Sequence, residues 1–104
     1  MIEFNFEYLG SFSENQIKII VKKAISQGLK EMDFKKKYYL SVLLTDNNGI
    51  KKINNKYRKI NKSTNVLSFP QNDERFVTKK TSKIILGDIV ISLEKIIKES
   101  KLQK

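Results

Sequence analysis

Arg58 and Asp88 are the two residues whose type and setting most invite chemistry. Only two of the 21 basic residues are arginine, Arg58 and Arg75; the rest are lysine. A planar guanidinium grips phosphate or carboxylate through two parallel hydrogen bonds, which an ammonium cannot do. Arg58 also closes a stretch rich in cations, with Lys51, Lys52 and Lys56 before it. Read plainly, it is a solvated cation on a helix; read functionally, it holds an anion. Asp88 follows Gly87 inside an apolar run. It is either a bulge acid that caps nearby backbone amides or a strand-end acid that orients a ligand. Thr64, Asn65 and Ser68 flank a short apolar run, T-N-V-L-S-F-P, closed by the only proline. Polar groups of this kind usually sit at a strand edge.

Absences narrow the chemistry further. The chain has no histidine and no cysteine. That removes Ser-His and Cys-His nucleophile pairs, the imidazole base, and the usual nitrogen and sulfur ligands of zinc. Carboxylates remain at Asp46, Asp73, Glu74, Asp88, Glu94 and Glu99 in the second half, without a compact two-carboxylate motif. A magnesium ion completed by RNA phosphates is the one metal arrangement they leave open. The net charge of +10, from 21 basic and 11 acidic residues, favours a polyanionic partner. A composition biased toward Lys, Asn and Ile gives the same number without any binding role.

The elements that position these residues follow from periodicity. Ile2, Phe4, Phe6 and Tyr8 alternate with polar residues, as in a half-buried strand. Ser13 and Gln16 form a capping box ahead of a helix whose apolar face is Ile17, Ile20, Val21, Ala24, Ile25 and Leu29. A connector over 34–37 leads to a strand over 38–44. Asp46-Asn47-Asn48-Gly49 then turns the chain and caps a second helix. That helix carries the stripe Ile50, Ile53, Tyr57 and Ile60 and a polar face that includes Asn54. A strand over 66–69 ends at Pro70, and an aperiodic surface loop or hairpin occupies 71–83. An apolar strand follows, interrupted at Gly87-Asp88, and then a third helix from Leu93. The order β-α-β-α-β-β-α predicts one α+β domain over 1–104, a small mixed sheet of about four strands packed with helices. With 39% hydrophobic residues, no apolar stretch approaches the roughly 20 residues of a membrane span, so a soluble, cytoplasmic protein without membrane contact is expected.

Two stretches carry a resemblance. "INNKYRKINKSTNVLSFP" (53–70), with Asn54, Tyr57 and Arg58, and "LGDIVIS" (86–92) are similar in order and spacing to the YbeY family of bacterial rRNA maturation factors. The family pattern is N-x-x-Y/F-R, then T-D-V-L-S-F, then G-D-I, and the resemblance spans essentially the whole chain. It implies a metal-dependent, single-strand-specific endoribonuclease of ribosomal RNA maturation and ribosome quality control. RNA, the small ribosomal subunit and a complementing C-terminal fragment are the partners it suggests. Arg58 corresponds to the family's cleft arginine, the candidate catalytic residue. Lys51, Lys52, Lys56, Thr64, Asn65, Ser68 and Asp88 are the candidate RNA-binding or cleft residues. Asn65 departs from the family, which usually has Asp there. The family's zinc is held by three histidines in a later helix, H-G-x-L-H-L-x-G-x-D-H. The chain stops before that helix, so a C-terminally truncated fold without metal ligands, inactive alone, is expected. The alternative is a non-catalytic basic module that binds RNA or the ribosome.

Overall fold

The computed structural model describes residues 1–34, 37–70 and 83–102. The elements are β1 (Ile2–Phe6), α1 (Glu14–Glu31), β2 (Lys37–Thr45), α2 (Asn47–Arg58), β3 (Val66–Pro70), β4 (Lys83–Ser92) and α3 (Leu93–Leu102). This is the α+β architecture and the element order expected. The strands form one sheet in the order β1-β2-β4-β3. β1 runs parallel to β2, β2 parallel to β4, and β3 antiparallel to β4. The expected loop over 71–83 lies outside the described residues, except that Lys83 begins β4. Lys35 and Lys36 of the expected connector also lie outside them, while Lys37 already belongs to β2.

Alternation along the strands sorts the core onto two faces. Even-numbered β2 residues Leu40, Val42 and Leu44 pack with Ile17 of α1, joined by Phe4, Phe6, Ile89 and Ile91. The opposite face joins Leu67 and Val90 to Ile50 of α2, with Leu43, Ile53 and Phe69 at the margin. β4 is apolar on both sides because helices cover both faces of the central strands, α1 and α3 on one and α2 on the other. The sheet register shifts between Tyr39 and Leu40, where Ile85 and Gly87 are the successive β4 partners and Leu86 is the extra residue. Gly87 adopts φ 130°, a conformation L side chains rarely take, so the bulge needs glycine. The expected interruption of the strand is thus a bulge within one continuous β4.

Both inner helix starts are capped as the sequence predicts. The Ser13 side chain accepts from Gln16 N while the Gln16 side chain accepts from Ser13 N. Asp46 Oδ1 accepts from Gly49 N at 2.7 Å. The first helix differs from its expected stripe at Ala24, which is exposed, and at Ile20, which is 60% exposed at the mouth of a groove between α1 and α3. Four turns of apolar residues exceed what the narrow sheet covers. The second helix differs at its end. It stops at Arg58, Lys59 takes the left-handed conformation as the C-cap, and Ile60 lies outside the helix, 47% exposed.

The starts of α2 and α3 are bound to one another. Ser92, fully buried, donates from Oγ to Asn47 Oδ1 at 2.8 Å and accepts from Lys95 N at 3.2 Å. Glu94 Oε1 accepts from Asn47 N at 2.9 Å. These bonds satisfy the amides that a helix start leaves open and fix α2 over the C-terminal ends of β2 and β4.

Candidate nucleic-acid interface

α2 has the sequence NNGIKKINNKYR, with no acidic residue against Lys51, Lys52, Lys56 and Arg58. Two of its cations stand in the last turn, where they meet the negative end of the helix dipole. All four are exposed. Arg58 is not a free cation: Nη2 donates to the Ser68 carbonyl at 3.0 Å, and the guanidinium lies 5.6 Å from the Phe69 ring centroid. Both contacts lie on β3, so Arg58 ties the end of α2 to the sheet edge and holds its guanidinium in a defined place. Its other N–H groups have no partner among the described residues.

Beside this helix the second sheet face opens into a cleft of about 830 Å³. Its floor sets polar Asn5, Glu7, Ser41 and Asp88 among apolar Leu43, Ile53, Ile89 and Val90. Lys56, Tyr57 and Phe69 form the wall on the α2 side. Tyr57 is 63% exposed, although the apolar stripe predicts it inside. It stands at the wall of this cleft, not in the core. Its ring meets Phe69 edge-on at 5.6 Å, and Lys56 Nζ lies 5.2 Å from its centroid. Farther along the same face, the Tyr39 hydroxyl donates to Glu3 Oε2. That hydrogen bond chiefly, with burial and the charges of Glu3 and Asp88, raises the Tyr39 pKa above its ordinary value.

The structure thus brings Lys56, Arg58 and Asp88 to one cleft and its rim, and places the other sequence candidates elsewhere. Lys51 and Lys52 lie exposed in the middle of α2 and do not line the cleft. Ser68 pairs with Ile89 and shares the α1 face of the sheet, so its contribution here is its carbonyl. Asn65 points toward α3: its carbonyl accepts from Ser92 N at 2.8 Å, and its Nδ2 donates to Glu99 Oε2 at 3.4 Å. Thr64 is half-buried beside it. Arg75, Asp73 and Glu74 lie outside the described residues. Asn54, assigned by pattern to the polar face, is 4% exposed and donates from Nδ2 to the Lys62 carbonyl at 3.0 Å. It braces the return from α2 to β3. The stripe rule misses it because its burial depends on a backbone eight residues onward.

Zinc, which the resemblance implies, requires nitrogen, sulfur or carboxylate donors converging within about 2.3 Å of one point. The chain has neither histidine nor cysteine. Among the described residues, no three side chains of ligand type stand together. These residues do not fit the ion. No helix among them is long and apolar enough to cross a membrane.

A mixed four-stranded sheet with a cationic helix set beside an open cleft defines a small α+β domain with a surface suited to a polyanion. Comparison with known proteins gives the family. The family model described as Endoribonuclease YbeY matches residues 3–104. A Clostridium botulinum (strain Loch Maree) protein named endoribonuclease YbeY is 40% identical over 103 residues, covering 85% of this chain and 60% of the relative. Its namesake from Ehrlichia chaffeensis is 39% identical over 102 residues, covering 96% of this chain and 62% of the relative. That of Acetivibrio thermocellus is 41% identical over 90 residues, covering 78% and 56%. The chain belongs to the YbeY endoribonuclease family, and it spans about 60% of the length of these curated relatives.

Proposed function

We propose that this chain supplies the RNA-gripping part of a YbeY-type endoribonuclease that acts on single-stranded RNA during ribosomal RNA maturation in the cytoplasm. The observation that carries the reading is α2, a helix whose charged residues are all cations and whose last turn borders an open cleft. Lys56 and Arg58 neutralise phosphates at the rim. Arg58 does so from a fixed position, because Ser68 and Phe69 hold its guanidinium, and among the described residues its other N–H groups have no partner that would compete with a phosphate oxygen. Zinc, where the family has it, activates water and stabilises developing phosphate charge. These 104 residues hold no imidazole or thiolate to bind it, so by themselves they bind RNA without hydrolysing it.

A non-catalytic module that binds RNA or the small ribosomal subunit is the second reading, favoured by the net charge of +10. One experiment addresses both. The purified chain is titrated with single-stranded RNA over a salt series, assayed for cleavage with zinc and with chelator, and analysed for metal. Binding should weaken with salt at a log-log slope of about −0.7 per phosphate contact, with no stoichiometric zinc and no cleavage. Cleavage that appears when zinc is added supports catalysis by the chain itself. Absent or salt-insensitive binding would remove both readings.

A further inference from the structure

Tyr57 is an aromatic residue left open at the wall of the cleft. It follows Ile50 and Ile53 on the apolar side of α2, yet 63% of it remains exposed. Its ring is nevertheless held firmly. Phe69 abuts it at 5.6 Å with the planes 65° apart, and Phe69 is itself seated beside the buried Leu67–Val90–Ile50 cluster. A rigid, exposed ring at the wall of a cleft is what a nucleobase stacks on.

The charges around it set an orientation. The cleft floor carries Glu7 and Asp88 with Asn5 and Ser41 among apolar Leu43, Ile53 and Val90, whereas the rim carries Lys56 and Arg58. A phosphate is repelled by the floor and drawn to the rim. A base is neutral, and its amino groups donate well to carboxylate and amide oxygens. The cleft volume of about 830 Å³ lies within the range that holds small ligands, so a nucleotide base fits beside the ring.

We propose that Tyr57 is a base-stacking platform, on which a single-stranded RNA sets one base into the cleft while its backbone follows the Lys56–Arg58 rim. This deepens the RNA-binding reading above and rests on it. Stacking is lost when a strand is paired, because the base faces are then covered. The arrangement therefore selects single strands without any base-specific hydrogen bond.

The test compares binding of a short single-stranded RNA with binding of the same phosphodiester backbone lacking bases. Fluorescence anisotropy is used with the wild-type chain and the Tyr57→Ala, Tyr57→Phe and Lys56→Ala variants. Tyr57→Ala should weaken RNA binding by about 5- to 150-fold. It should leave affinity for the base-free backbone and the salt slope unchanged. Tyr57→Phe should restore binding to within a few fold. Lys56→Ala should lower both affinities and reduce the slope by about 0.7. Tyrosine emission is a second readout: the chain has four tyrosines and no tryptophan, so stacking quenches a signal that Tyr57→Phe removes. If RNA binds but Tyr57→Ala changes nothing, or lowers RNA and base-free affinity alike, the stacking proposal is wrong and electrostatic RNA binding stands. If the wild-type chain binds neither polymer, the RNA reading fails and the platform with it.

Discussion

Replacing Arg58 by alanine tests whether this side chain is part of the fold as well as part of the interface. Two contacts are lost. The hydrogen bond from Nη2 to the Ser68 carbonyl at 3.0 Å has a charged donor, but it lies at an exposed position, so about 1 kcal/mol is appropriate. The guanidinium 5.6 Å from the Phe69 centroid adds about 0.5–1 kcal/mol at an exposed site. Together Arg58→Ala should cost about 1.5–2 kcal/mol, a sizeable part of a typical 5–15 kcal/mol stability. Arg58→Lys keeps the cation at the helix end but loses the planar donor, and should cost about half as much. Urea unfolding followed by circular dichroism measures this. With a slope of about 1–3 kcal/mol/M, the Arg58→Ala midpoint should fall by about 0.5–2 M at constant slope. An Arg58→Ala midpoint equal to wild type would show that the guanidinium is merely solvated and that the tie to β3 contributes nothing. The result also governs interpretation of RNA assays, since binding by Arg58 variants must be compared where each is fully folded.

Gly49→Ala should be destabilising by about 1–3 kcal/mol, because the new Cβ collides with Oγ1 of Thr45, which is 1% exposed. Differential scanning calorimetry should show a fall in Tm of about 5–15 °C, and an unchanged Tm would mean that Thr45 can turn aside. Tyr39 should titrate above its ordinary value of about 10, mainly because its hydroxyl donates a hydrogen bond to Glu3. Its raised folded-state pKa makes this contribution complete below the unfolded value, and it is lost as pH climbs through the folded one. Phenolate absorbance on alkaline titration should move toward the ordinary value in Glu3→Gln; no movement would discount the hydrogen bond. The groove of about 230 Å³ between α1 and α3, walled by Phe12, Ile20, Ile96 and Ile97, should take up a hydrophobic fluorescent dye. Ile20→Lys should abolish the dye enhancement with little loss of stability, since Ile20 is 60% exposed. Persistence of the full signal would place the dye elsewhere.

Features of the fold that depend on neighbours in sequence were legible. The Ser13–Gln16 capping box, the Asp46 cap and the alternation of β1 are local signals, and each element forms where its signal stands. The family motifs likewise lie in continuous stretches. What depended on distant backbone was hidden. Asn54 reads as a surface amide until the Lys62 carbonyl is placed against it. Tyr57 reads as core until the open cleft formed by three separate strands is assembled beside it. Arg58 could be read either as a free cation or as an anchored one, and only the antiparallel placement of β3 brings the Ser68 carbonyl within reach. Asn65 and Ser68 adjoin the motif in sequence, but the turn into β3 and alternation direct their side chains away from the cleft.

The sheet order also has a consequence for biosynthesis. β2 and β4 are central neighbours whose paired residues stand 46 or 47 positions apart, Lys37 with Lys83 and Thr45 with Ser92. A nascent chain can join β1 to β2 early, but the inner edge of β2, with Leu40, Val42 and Leu44, has no partner until β4 is synthesised. At about 5–20 residues per second that edge waits roughly 2–10 s. An unpaired apolar strand edge invites pairing with other chains. The yield of folded protein should therefore depend on translation speed across the segment between the two strands, and on chaperones that shield β2 during the wait.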